Sequence, residues 1–359
     1  MTARTPFRLP TPFPAVPSPP VPFPRPTRTM TVVDPVVPAD QPSVADALRA
    51  SRGAGVDTAF RLLALAAGLT VLVILGLITF STTRSAWPAF VHQGASYFFS
   101  TDWRPSQGHF GILAFVYGTA VISFIGVLLA VPTSIGIALF ATEVAPRRLR
   151  RTITLVMDLL ASVPSVVFGL VGFYVLKPPM QTLFRWVGNT VKDVPVLHQL
   201  FGQNSAGISL LTAGIVLAIM ITPIVTSVSR EVFDTVPRND KEGALALGAT
   251  RSEMITGVVL PHSLGGLTGA VMLGLGRAMG ETIAVTLLIG GVAPRITANL
   301  LGPSDAMPSA IARYLSEASG DFRAALIGLG VTLFVITMVV NVGSRRMVDV
   351  LDRRLKGAA

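Results

Sequence analysis

Residues 62–80 read LLALAAGLTVLVILGLITF, a run without a single charged side chain. Because about 20 helical residues at a rise of ~1.5 Å cross the hydrocarbon core of a bilayer, this run has the length and polarity of a membrane-spanning helix. Further apolar runs follow it. We expect six spans, at about 60–80, 111–142, 153–176, 207–229, 263–291 and 324–343. The sequence therefore predicts an all-α polytopic membrane protein with six transmembrane helices.

The overall composition agrees with a membrane protein. Charged residues make up 13% of the 359 residues and hydrophobic residues 51%, with a mean hydropathy of +0.63. A soluble globular domain carries nearer ~25% charged residues. A transmembrane barrel would need segments of about ten residues with alternating polarity, and the sequence shows no such segments.

Cysteine and histidine usage argues against a metal site. The sequence contains no cysteine, which excludes a disulfide framework, a thiolate metal site and a cysteine nucleophile. The four histidines are scattered without the spacing of metal ligands, at His92, His109, His198 and His262. We therefore expect neither a metal ion nor another cofactor.

Three regions differ in composition. Residues 1–55 contain thirteen prolines between Pro6 and Pro42 and cannot bury a core, so we expect a disordered cytosolic tail. A translation start at Met30 would leave a shorter tail. Residues 56–345 form the six-helix transmembrane domain, and 346–359 form a basic cytosolic tail.

The basic residues predict the orientation in the membrane. About twenty of the 29 lysines and arginines fall in segments that share one side if the N-terminus is cytosolic. Short clusters make the case, at Arg147, Arg148, Arg150 and Arg151, and again at Arg345, Arg346, Arg353, Arg354 and Lys356. Lysine and arginine accumulate in cytoplasmic loops, so both termini are expected in the cytosol. The net charge of +10 is then explained by the orientation of the chain in the membrane, and we expect no nucleic-acid partner.

The polar loop 230–262 carries a fixed spacing. It reads Glu242-Gly243-Ala244, three residues, Gly248, nine residues, Val258, one residue, and Leu260-Pro261. Good helix formers from Glu242 to Leu247 predict a short helix that Gly248 ends as the residue after the C-cap. The pattern resembles the EAA loop of ABC importer permeases, with Gly243 in place of alanine and Val258 in place of isoleucine.

That resemblance implies a helix that docks on an ATP-hydrolysing subunit. The contact residues carried over from the family pattern are Glu242, Gly243, Ala244 and Gly248. No P-loop lies on this chain, because none of its lysines follows a glycine, at Lys177, Lys192, Lys241 and Lys356. We therefore expect a transport subunit rather than an enzyme, with ATP hydrolysis on a partner.

Arg277 and Glu281 lie within the predicted fifth span. An arginine deep in a bilayer costs ~2.5–3.5 kcal/mol on insertion scales and usually faces a bundle interior or an aqueous path. Residues four apart share a helix face, which predicts that the two side chains can pair. One interpretation is an internal ion pair that fixes helix packing. The other is a substrate path, in which Arg277 attracts an anion and Glu281 holds the guanidinium when the path is empty.

The stretch from Leu273 to Val285, LGLGRAMGETIAV, resembles the fifth span of the PstC-type family of phosphate permeases. The resemblance covers about residues 60–345. It continues through Phe110-Gly111-Ile112, Tyr117-Gly118-Thr119, Pro132 to Glu143, Ser162-Val163-Pro164-Ser165 and Val232-Phe233-Asp234. It implies a type I ABC importer permease fold and assigns Arg277 and Glu281 to the phosphate path.

The resemblance also implies an assembly in the cell membrane of a bacterium. Its members would be a related A-type permease in a heterodimer with this chain, two ATP-binding subunits and an extracytoplasmic phosphate-binding protein, surrounded by lipid. Two other functions stay open on the residues alone. One is a permease for another oxyanion, such as molybdate or sulfate, and the other is an ion-driven secondary transporter.

Overall fold

The computed structural model describes residues 54–202 and 206–356. The expected disorder of the proline-rich segment therefore concerns residues that lie outside this description, apart from its last two positions. Contacts divide the chain into two units, Met1–Leu69 and Thr70–Ala359. In the first unit, the described residues form the start of a long helix, α1 (Ala54–Gln93).

Among the residues that the structure describes, six helical stretches are long and apolar enough to cross a membrane, which confirms the predicted number. They are Asp57–Gln93, Leu113–Val144, Ser165–Val191, Leu210–Asp234, Arg251–Gly280 and Gly320–Arg346. In the second unit, many large apolar side chains point away from the protein, such as Leu77 and Phe80, which are 62% and 65% exposed. Such a surface is stable where lipid covers it.

A small two-stranded sheet lies between the first and second spans in the chain. After α1 come α2 (Ser96–Phe99), β1 (Trp103–Arg104), a turn of 3₁₀ helix (Pro105–Gln107) and β2 (His109–Phe110). The strands are antiparallel, with Trp103 opposite Phe110. The second span then consists of α3 (Leu113–Leu139) and a π-helical turn (Phe140–Val144), and it runs through Pro132 without ending there.

The third span differs from the sequence prediction of 153–176. Residues Arg147–Ser162 form a separate helix, α4, whose start is basic and whose apolar residues lie on one face. The chain is extended at Val163 and Pro164, and the span begins only at Ser165. The prediction was wrong because the apolar face of α4 was counted as membrane-embedded length.

The third span is longer at its other end than expected. It comprises α5 (Ser165–Val171), a π-helical turn (Gly172–Leu176) and α6 (Lys177–Val191), so the first half of the predicted outer loop 177–206 belongs to the span. A short helix, α7 (Pro195–Leu200), follows it.

The remaining elements build the second half of the bundle. In chain order they are α8 (Leu210–Asp234), α9 (Arg238–Ala246), α10 (Arg251–Met254), a π-helical turn (Ile255–Val259), α11 (Leu260–Gly280), α12 (Ile283–Ile289), α13 (Met307–Tyr314) and α14 (Gly320–Lys356).

The core lies where α3 and α8 pack against each other. Small residues let the two backbones approach: a Cβ on Gly126 would touch Leu217, and one on Gly214 would lie 2.5 Å from Ile125. Large side chains such as Ile221 fill the rest of this contact and are fully buried. Close packing of small residues is what holds helices together in lipid, where burial of apolar surface supplies little driving force.

Candidate functional site

The fifth span is interrupted at the position of the predicted charged pair. Helix α11 ends at Gly280, and Glu281 has an extended backbone with φ −69° and ψ 126°. Helix α12 begins two residues later, at Ile283. The span predicted as one helix over 263–291 is therefore two helices with a break between them.

Arg277 lies on the last turn of α11, on an exposed face. Its side chain lines a groove of about 910 Å³ between α11 and α14, whose polar lining also includes Thr268, Asn341 and Ser344. Arg277 forms no ion pair within 4.0 Å with any described residue. A guanidinium in a span thus faces a groove that is open to a solute.

Glu281 occupies a different place. Its side chain is 8% exposed and lies in a nearly closed space lined by Thr119, Ser123 and Met279. The carboxylate Oε1 accepts a hydrogen bond of 3.4 Å from the N–H of Ala284, in the first turn of α12.

The expectation that Arg277 and Glu281 share a helix face and pair is therefore wrong. The i, i+4 geometry holds only inside a continuous helix, and this helix ends between the two residues. The structure places one charge in the groove and the other in the core.

At the other end of the fifth span, α9 is the short helix that the spacing of the 230–262 loop predicts. It ends at Ala246, and Gly248 adopts φ +89°, a left-handed conformation that favours glycine. The helix begins four residues earlier than expected, at Arg238. Only residues 235–250 separate the fourth and fifth spans, because α8 and α10 extend into the predicted loop.

The α9 segment presents an accessible surface. Glu242, Gly243 and Gly248 are exposed and Ala244 is half-buried. Leu247 is 92% exposed and Leu245 is 42% exposed, so two apolar side chains of this segment face outward.

One ion pair fixes α9 to the bundle and a second joins α4 to the end of α8; neither was predicted from the sequence. Lys241 Nζ lies 2.6 Å from Glu143 Oε1, and it also donates to the carbonyl oxygen of Phe233 at 3.2 Å. Arg150 of α4 lies 2.9 Å from Asp234 at the end of α8. Each pair joins residues far apart in sequence, so no local spacing could have shown it.

The opposite end of the bundle contains a buried ion pair between Asp305 and Arg313. Asp305 is 2% exposed and its carboxylate also accepts a hydrogen bond of 2.8 Å from the N–H of Ala306. Burial raises the pKa of the Asp305 carboxyl above its ordinary value, and the neighbouring Arg313 opposes that rise. The guanidinium packs directly on Gly291, where a Cβ would overlap it.

No group of three or more histidine, aspartate or glutamate side chains converges into a possible metal site within residues 54–202 and 206–356. The candidate functional groups of the described residues are therefore single charged side chains and exposed surfaces.

Six spans, an intramembrane arginine facing a groove and an exposed helix between the fourth and fifth spans define a membrane transport subunit of the ABC importer permease class. Residues 130–357 match the family described as "binding-protein-dependent transport system inner membrane component". The chain belongs to this family and, within it, to the PstC permeases. Membership implies a substrate-binding protein and an ATPase as partners.

Several curated PstC proteins are similar over most of their length. The "phosphate transport system permease protein PstC" of Mesorhizobium japonicum is 42% identical, with 86% of this chain and 96% of that protein covered. The PstC of Xylella fastidiosa is 41% identical, with 84% and 94% covered. PstC 2 of Mycobacterium tuberculosis is 40% identical, with 80% and 90% covered.

Solved structures confirm the fold. A bacterial alginate ABC transporter, in complex with an alginate pentasaccharide-bound periplasmic protein, matches with a TM-score of 0.54 at 16% identity, covering 84% of this chain and 98% of that chain. A second structure of an alginate importer matches with a TM-score of 0.52 at 16% identity, covering 82% and 96%. The chain therefore has the ABC importer permease fold.

Proposed function

We propose that this chain is a permease subunit of an ATP-driven importer of inorganic phosphate, in which Arg277 lies on the phosphate path. The observation that carries the proposal is the exposed guanidinium in the groove between α11 and α14. A guanidinium can meet two phosphate oxygens at once. The names of the PstC relatives support phosphate as the solute.

The break after Gly280 gives Glu281 a role other than holding Arg277. Its carboxylate lies in the core beside the hydroxyls of Thr119 and Ser123, and Ser123 Oγ has no hydrogen-bond partner among the described residues. Glu281 thus does not line the groove and forms no ion pair with Arg277. The positive charge of Arg277 in the groove is therefore not neutralised by Glu281, and this charge favours the binding of an anion.

The proposed assembly contains one A-type permease, two ATP-binding subunits and an extracytoplasmic phosphate-binding protein in a bacterial cell membrane. Glu242, Gly243, Ala244 and Gly248 would contact an ATP-binding subunit, since they belong to the exposed α9 segment. Both termini would be cytosolic, which places the basic start of α4 and the whole of α9 on the cytosolic side.

Replacement of Arg277 by glutamine tests the proposal. We expect Arg277→Gln to lower phosphate uptake by at least about tenfold, because a charge-assisted hydrogen bond to an anion is lost. The complex should still assemble with its ATPase. Arg84→Gln is the matched control, since Arg84 is exposed in the first span and does not line the groove. Wild-type uptake by Arg277→Gln would refute the anion role.

A further inference from the structure

The groove that contains Arg277 also contains a second arginine. Arg345 lies near the end of the sixth span and lines the same cavity. Asn341 and Ser344, from the same helix, add an amide and a hydroxyl to the lining, and Thr268 adds a hydroxyl from α11. No carboxylate belongs to the lining contributed by the described residues. The groove therefore holds two positive charges and neutral hydrogen-bonding groups.

The two arginines lie toward opposite ends of the groove. Arg277 is in the last turn of α11, and Arg345 is near the end of the sixth span. Consecutive spans run in opposite directions, so Arg345 lies toward the side of the membrane at which α11 begins, and Arg277 lies farther from that side. From Gly265, which also lines the groove, to Arg277 the helix advances ~18 Å at its usual rise per residue.

Between the two arginines, the side of the groove formed by α11 is not blocked by packing against another helix. A Cβ added to Gly269 or Gly276 would meet nothing within 4 Å, so neither glycine is used for packing against another helix of the described chain. A phosphate ion needs only a small part of the ~910 Å³ that the groove provides. The space between the arginines is thus wide enough for an ion with water around it.

We propose that Arg345, together with Asn341 and Ser344, forms a second binding position for inorganic phosphate, between Arg277 and the cytosol. The inference rests on the proposed function, because it assigns the next step of the same path. An ion leaving Arg277 toward the cytosol would meet a second guanidinium in the same groove. Several weak positions in series let an ion enter a path and still leave it, whereas one strong position would retain it.

The charge distribution supports this direction of release. A groove lined with one sign of charge raises the local concentration of the opposite ion. Arg345 lies on the side of the membrane where the basic residues accumulate, which is the cytosolic side in the proposed orientation. The same oxyanion chemistry would suit the phosphate of a lipid headgroup, and the experiments below separate the two sources.

The first experiment compares neighbouring arginines. Arg345→Gln and Arg346→Gln each remove one positive charge from the end of the sixth span, but only Arg345 lines the groove. The two variants therefore have matched effects on topology. We expect Arg345→Gln to lower the maximal rate of phosphate uptake by about tenfold in the assembled transporter, and Arg346→Gln to stay within about twofold of the parent.

The second experiment uses the absence of cysteine from the sequence, which makes any introduced thiol unique in this subunit. Asn341→Cys places a thiol in the groove, and Val342→Cys places one on the neighbouring, 43% exposed position outside its lining. A negatively charged methanethiosulfonate should label position 341 faster than a positively charged one. Millimolar inorganic phosphate should slow the labelling at 341 and leave 342 unchanged.

The outcomes are distinct. Normal uptake by Arg345→Gln, or labelling at 341 that inorganic phosphate does not slow, would overturn the second position and indicate a lipid headgroup in the groove. If Arg277→Gln lowers uptake in the same assay, the proposed function stands while this inference fails. If both arginine variants transport normally, the proposed function fails as well.

Discussion

Lys241 and Glu143 form a 2.6 Å ion pair between residues 98 positions apart. Their side chains are 17% and 8% exposed, so the pair is well shielded from solvent. Lys241 belongs to α9, the helix proposed to contact the ATPase, and Glu143 belongs to the π-helical end of the second span. Any displacement of α9 therefore acts directly on the second span.

The first prediction concerns this connection. Lys241→Gln leaves the Glu143 carboxylate buried without its cation, and removal of one partner from a buried pair costs about 3 kcal/mol or more. We expect phosphate uptake per ATP hydrolysed to fall severalfold, because the ion pair no longer connects α9 to the second span. The measurement is uptake and ATP hydrolysis on the same purified and reconstituted complex.

The charge-reversed double variant is the control for that prediction. Lys241→Glu with Glu143→Lys restores opposite charges at the same two positions, and it should recover part of the coupling that either single reversal loses. A double variant no better than the single ones would show that the contact acts through side-chain shape and not through charge.

The second prediction concerns the exposed leucine after α9. Leu247→Ser removes an apolar side chain that is 92% exposed. We expect it to reduce the amount of ATPase that copurifies with this chain, since a desolvated apolar anchor contributes much of the binding energy of an interface. Val194→Ser, which removes a 45% exposed valine elsewhere, should copurify normally. Equal recovery for both variants would argue against a contact at Leu247.

The third prediction compares two glycines of α3. A Cβ on Gly118 would overlap the backbone carbonyl oxygen of Asp305, whereas one on Gly136 would meet nothing within 4 Å. Gly118→Ala should destabilise the protein by ~1–3 kcal/mol through overpacking. Gly136→Ala should be neutral or slightly stabilising, because alanine favours a helix over glycine. Thermal unfolding of the detergent-solubilised proteins measures both effects.

The fourth prediction concerns the buried ion pair at the opposite end. Asp305→Ala leaves the Arg313 guanidinium without a carboxylate in a buried setting, at a cost of about 3 kcal/mol, and should lower the unfolding temperature by several degrees. Asp102→Ala breaks the exposed pair with Arg104 and should leave the unfolding temperature nearly unchanged. Equal shifts for the two variants would contradict a structural role of burial at Asp305.

The number of spans and the presence of a short helix ending just before Gly248 could be predicted from the sequence, since long apolar runs and helix stop signals are local features. The start of that helix at Arg238 was not predicted. The start of the third span could not be located. Residues 153–162 belong to α4, whose one-sided apolar face resembles membrane-embedded length when polarity is averaged over a window.

The arrangement around Arg277 was only partly predictable. Its position within a span and its access to a groove agree with the cost of an arginine in lipid. The separation from Glu281 could not be foreseen, because the helix break at Gly280 depends on the packing of α12 against other helices. Contacts such as Lys241 with Glu143 depend on tertiary structure and have no local sequence signal.

Because the helix is interrupted after Gly280, the fifth span consists of two separate helices, α11 and α12. One part, α11, carries the Arg277 guanidinium. It is connected through α10 to α9, the helix proposed to contact the ATPase. The other part, α12, is anchored in the core by residues such as Leu288 and Ile289, and it holds the carboxylate through Ala284. A rotation of α11 alone would therefore move the positive charge relative to the negative one, because no continuous helix fixes the distance between the two groups.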